Sequence, residues 1–131
     1  MGNNSVIEAI KANAALVVSI ARDRLGHELR FDEQGVRWLD GYIQRQHEAG
    51  DAKSRDGLVK TLGSFLGECV VGSFGGEWAC VDDVWCVRFD EKNAVFPFAK
   101  VAKQLENGSA DSVLSFFTIM PIMFQLGSDR G

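Results

Sequence analysis

The sequence predicts an α+β fold, with three N-terminal helices, a three-stranded antiparallel meander and two C-terminal helices, in one domain spanning residues 1–131. Three observations predict it. Apolar residues recur at helical spacing through the first half of the chain. After the run Gly72-Ser73-Phe74-Gly75-Gly76 the period shortens to two, as in strands. Beyond Pro97 the helical period returns.

The first helix is expected over residues 5–26, with Ser5 as N-cap and Gly26 as the stop. Val6, Ile7, Ile10, Val17, Ala21 and Leu25 form its apolar face. A short extended piece over residues 28–31 leads to Asp32, which caps a second helix reaching Glu48. There Val36, Leu39 and Ile43 share one face, with Trp38 and Tyr42 beside it. Residues 49–55 are small, polar and charged, and read as a loop.

Asp56 is expected to cap a third helix over residues 57–73, whose apolar arc runs through Leu58, Leu62, Phe65, Leu66, Cys69 and Val70. Gly63 and Gly67 lie four apart at the edge of that arc. Each glycine costs a helix interior about 0.5–1 kcal/mol relative to alanine. Two of them predict close approach by another element.

Residues 77–81 and 84–89 read as strands joined by the turn Asp82-Asp83, and residues 90–93 turn into a short strand over 94–96. Trp85, Val87 and Phe89 alternate onto one face, opposite Val84, Cys86 and Arg88. A small sheet with one apolar face needs a cover, which the helices supply. Pro97 opens a fourth helix ending at Asn107-Gly108. Asp111 is expected to cap a fifth, bent or stopped at Pro121, with residues 127–131 as a frayed tail.

Composition narrows function by exclusion. The 131 residues carry 14 Lys+Arg against 18 Asp+Glu, a net charge of −4, which opposes binding to nucleic acid phosphates. Nine Phe and three Trp supply enough apolar surface to fold. Cys69, Cys80 and Cys86 are an odd number and read as reduced thiols, so a cytoplasmic protein is expected. Cys80 and Cys86 lack metal-ligand spacing, and neither metal nor cofactor is expected. Residues 113–124 are too few to cross a bilayer, and Glu8 and Lys11 interrupt the first helix, so no membrane partner is expected either.

No motif marks a catalytic residue. The glycine-rich run leads from helix to strand and is followed by Glu77, the reverse of a phosphate loop. Glu68 has two readings: a general base with His47 or Asp82 assisting, or a structural acceptor for a backbone or indole N–H that pins the third helix to the sheet. The junction of Glu68, Gly76, Glu77 and Trp78 is the candidate ligand-facing region. The last helix is apolar all round, so it is either central or partly a contact surface. Met120, Met123 and Phe124 are its contact candidates, for a protein partner or a second copy.

The ordered landmarks are Leu62-Gly63-Ser64-Phe65-Leu66-Gly67-Glu68, Gly75-Gly76-Glu77-Trp78, Phe96-Pro97-Phe98-Ala99-Lys100-Val101, Asn107-Gly108 and Asp111-Ser112. The series resembles a family of small, uncharacterised bacterial α+β proteins, over residues 31–117. The resemblance implies a bacterial domain and a shared role for Gly67, Glu68, Gly76 and Trp78, and it carries no activity across. The leading expectation is a non-enzymatic binding or protein-interaction module, homodimeric or of the partner-neutralising immunity type. The alternatives are a small hydrolase using Glu68 as general base and a metal or redox sensor at Cys80 and Cys86.

Overall fold

A computed structural model describes residues 2–50 and 55–124. Its elements are α1 (Gly2–Leu25), α2 (Glu33–Ala49), α3 (Arg55–Phe74), β1 (Glu77–Val81), β2 (Val84–Arg88), β3 (Ala94–Val95), α4 (Pro97–Asn107) and α5 (Val113–Met123). A single 3-10 turn, Gly108–Asp111, joins the last two helices. Five helices and an antiparallel three-stranded sheet in this order are the α+β arrangement read from the sequence. Residues 51–54 of the expected loop and the tail 127–131 lie outside the described residues.

The helix starts differ from expectation in instructive ways. Helix α1 begins at Gly2, which puts Ser5 inside the first turn and not at the cap. Asp56 likewise sits within the first turn of α3, where its charge favours the positive end of the helix dipole. At α2 the expected cap is present: Asp32 Oδ1 accepts the Gln34 N–H at 2.9 Å. Ser112, not Asp111, caps α5, its Oγ accepting the Ser115 N–H at 3.1 Å. Pro121 does not stop α5, which continues to Met123. Being near the C-terminus, it removes only one interior hydrogen bond.

The sheet follows the order β1-β2-β3, with Trp78 opposite Val87, Cys80 opposite Trp85, and Val87 opposite Val95. Those side chains share the face turned toward the helices. Strands β2 and β3 are each one residue shorter than expected, because Phe89 turns into a loop closed by its N–H to the Asn93 carbonyl, and Phe96 becomes the N-cap of α4.

Helix α3 is the central element, and its glycines explain how. A Cβ on Gly63 would strike the Phe98 ring of α4, and one on Gly67 would strike the Trp78 indole of β1. Each glycine thus receives an aromatic ring from another element. One buried cluster unites Ile10, Ala14 and Val17 of α1 with Leu39 and Ile43 of α2, Phe65 and Leu66 of α3, Val87, Val101 and Phe117. By length and composition α1 could also cross a membrane, but its Ile10, Ala14, Val17 and Ala21 are buried in this core.

Candidate functional site

The Glu68 junction is built where α1, α3 and β1 meet. Gly67 lets the Trp78 ring lie against α3, and this brings the indole to the next residue. Trp78 Nε1 donates to Glu68 Oε2 at 2.9 Å. Lys11 reaches the other oxygen, Oε1, at 3.5 Å from the half-exposed flank of α1. The carboxylate side chain is 13% exposed, and each of its oxygens has a partner. Lys11 completes the junction but carries no sequence signal, since a lysine on an amphipathic helix reads as a solvated residue.

The other junction candidates diverge from Glu68. Glu77 is exposed and lies opposite Arg88 on the outer sheet face, whereas Trp78 is buried on the inner one. Gly76 has φ +93°, and Phe89 and Val87 crowd the place of its missing Cβ. It serves the entry into β1.

Neither group named as an assistant for Glu68 stands beside it. Pro97 of α4 packs near Gly67, whereas His47 Nδ1 bonds the Leu105 carbonyl, at 2.9 Å, near the far end of α4. Those two points of α4 are separated by about 12 Å at the helical rise of about 1.5 Å per residue. Asp82 lies at the hairpin tip, four residues beyond Trp78, or about 13 Å along an extended strand. Among the described residues no group of three or more His, Cys, Asp or Glu could hold a metal ion.

All three cysteines are free. The strand register puts Cys80 on the inner face opposite Trp85 and Cys86 on the outer face opposite Ala79, so the two thiols point to opposite sides of the sheet. Burial pushes the thiols of Cys69 and Cys86 up, which keeps both protonated. That geometry offers no shared metal or disulfide site.

Of the C-terminal contact candidates, Met120 is fully buried in the core and can touch no partner. Phe124 packs on Phe89, with ring centroids 5.8 Å apart. Met123 is half-exposed, and Ile119 and Ile122, the latter 78% exposed, present the outer face of α5. The helix is therefore core on one side and open on the other.

The concavity best suited to a ligand was not legible as a motif. It is an apolar cleft of about 600 Å³ between the first half of α1, the start of α3, the β1–β2 hairpin and α4. Val6, Ala9, Ile10, Val59, Trp85 and Phe98 form its walls. Its volume lies within the roughly 300–1,000 Å³ of ligand sites, and a few polar groups surround an apolar floor, the usual pattern of such sites. Asp56 and Asp83 stand at the rim against one cation, Lys60. Asp82 and Asp83 form the adjoining turn with φ of 53° and 65°, a left-handed pair more often built from Asn-Gly. The Ser64 hydroxyl in the wall already donates to the Lys60 carbonyl at 2.7 Å, so it makes no polar demand on a ligand.

One sequence signal marks the open flank of α1, of which only Ala9 reaches the cleft. Ala9, Leu16 and Ile20 follow helical spacing outside the buried face of α1, a second apolar stripe that a one-sided helix does not need. Leu16 and Ile20 border a smaller groove of about 250 Å³ with Trp38 and Tyr42 of α2. Comparison with protein-family models, with curated proteins and with solved structures found no match to the chain.

Proposed function

We propose that this protein is a non-enzymatic binding module that takes up an apolar segment of a protein partner in the cleft between α1, α3 and the β1–β2 hairpin. The observation that carries the reading is the cleft itself, walled by aliphatic side chains and by the rings of Trp85 and Phe98. Its rim favours a segment flanked by basic residues, since Asp56 and Asp83 outnumber Lys60 there and the chain carries a net charge of −4. Catalysis by Glu68 finds less support, because its oxygens are occupied by Trp78 and Lys11 and its assistants are distant. Three free thiols agree with a reducing, cytoplasmic setting.

The test is a titration with the uncharged apolar dye Nile red, for the natural chain and for Ala9→Glu. Ala9 is exposed on the cleft wall, so the substitution leaves the core intact. Dye fluorescence is expected to rise with the natural chain and to fall at least tenfold in apparent affinity with Ala9→Glu, at an unchanged melting temperature. Equal binding by both chains would reject the cleft as the binding site.

A further inference from the structure

We propose that the free edge of β1 pairs with the same edge of a second copy of this chain, joining two meanders into one six-stranded antiparallel sheet. Strand β1 is an outer strand of its sheet. The two-residue turn makes Val81 and Val84 a hydrogen-bonded pair, and alternation extends this to Ala79 with Cys86 and Glu77 with Arg88. Trp78 and Cys80 therefore aim their backbone N–H and C=O groups away from β2. Among the described residues no backbone hydrogen bond outside the sheet ladder reaches those four groups. The strand Glu-Trp-Ala-Cys-Val has no proline, no lysine and no bulge, and its single charge, Glu77, stands at its first residue.

The spacing of these groups fits a second copy. A two-fold axis at Ala79 sets Trp78 opposite the second copy's Cys80, and Cys80 opposite the second copy's Trp78. Both are then hydrogen-bonded pairs, which gives four N–H···O bonds. A register shifted by two residues leaves only one such pair. Charge selects the same register, because each Glu77 faces a valine and the two Glu77 residues lie about 13 Å apart along the strands. This seam goes beyond the binding reading and is separate from the cleft, which lies over the inner face beside Trp85 and Phe98.

Ala79 provides the test. Its side chain points to the outer face, away from the helices, and is partly exposed. Two copies of position 79 would stand opposite each other with Cα atoms about 4.5 Å apart. In sedimentation equilibrium at high protein concentration the natural chain is expected at twice its 14.4 kDa. Ala79→Lys and Ala79→Glu are each expected at the single-chain mass, with unchanged circular dichroism, and their equimolar mixture is expected to regain the double mass. A double variant, Ala79→Cys with Cys86→Ala, which removes the thiol opposite position 79 in the same chain, is expected to form a covalent dimer on oxidation, since that spacing lies within disulfide range. A natural chain that stays monomeric overturns the proposal. So does a dimer that both charged variants leave intact, or one that a foreign strand forms while two copies do not.

Discussion

Gly67 shows how one residue can decide a junction. Without its Cβ the Trp78 indole lies against α3 and donates to Glu68. Gly67→Ala is expected to lower stability by about 1–3 kcal/mol, measured by urea unfolding, because the ring has to move out of its place. Trp78→Phe keeps most of the ring but removes the indole donor, leaving Glu68 with Lys11 alone. A loss of about 1–2 kcal/mol is expected, in the range for an unpaired, partly buried acceptor. The two glycines were legible because a helix interior tolerates glycine poorly without a reason. Lys11 was not legible, since its role arises only when α1 crosses α3.

At the scale of elements, the N-terminus of α5 is held from a distance. Asp40 Oδ1 of α2 accepts the Ser112 hydroxyl at 2.5 Å and the Leu114 N–H at 3.3 Å. Buried Gln104 of α4 adds its Oε1 to the Val113 N–H at 2.9 Å and donates to the Asp40 carbonyl at 3.3 Å. Asp40→Ala is expected to cost about 1–3 kcal/mol in thermal or urea unfolding, more than removal of an ordinary local cap. Asp111 had the right residue type for a cap, and sequence spacing cannot show that a carboxylate from α2 supports the neighbouring serine instead.

The cap of α2 makes a prediction in pH. The Arg30 guanidinium, hydrogen-bonded to Asp32 at 3.0 Å, holds that carboxyl below its ordinary range. A carboxyl lowered in the folded state contributes stability above its unfolded value, and that contribution is lost as pH falls through the folded one. Asp32→Asn is therefore expected to flatten the acid limb of a plot of melting temperature against pH. An acid limb identical to that of the natural chain would contradict the assignment.

At the scale of the molecule, the order of elements was legible because period and punctuation change sharply, first at the glycine run and again at Pro97. The cleft was not, because its walls come from four elements whose packing no local pattern encodes. Apolar excess in α5 drew attention to Met120, yet the fold buries that side chain and exposes Ile119 and Ile122 instead. Helical spacing orders residues around one axis but does not say which side another element will cover. Of the second apolar stripe of α1 only Ala9 lines the cleft, whereas Leu16 and Ile20 border the separate groove against α2.

Site-specific photo-cross-linking in the cells that make the protein distinguishes the cleft from the open face of α5 as the surface that meets a partner. A benzophenone side chain is placed at Ala9, on the cleft wall, or at Ile122, on the open face of α5. The Ala9 position is expected to capture a protein partner through an apolar segment flanked by basic residues, and the Ile122 position is not. Capture at Ile122 with none at Ala9 would contradict the reading of the cleft as the binding site.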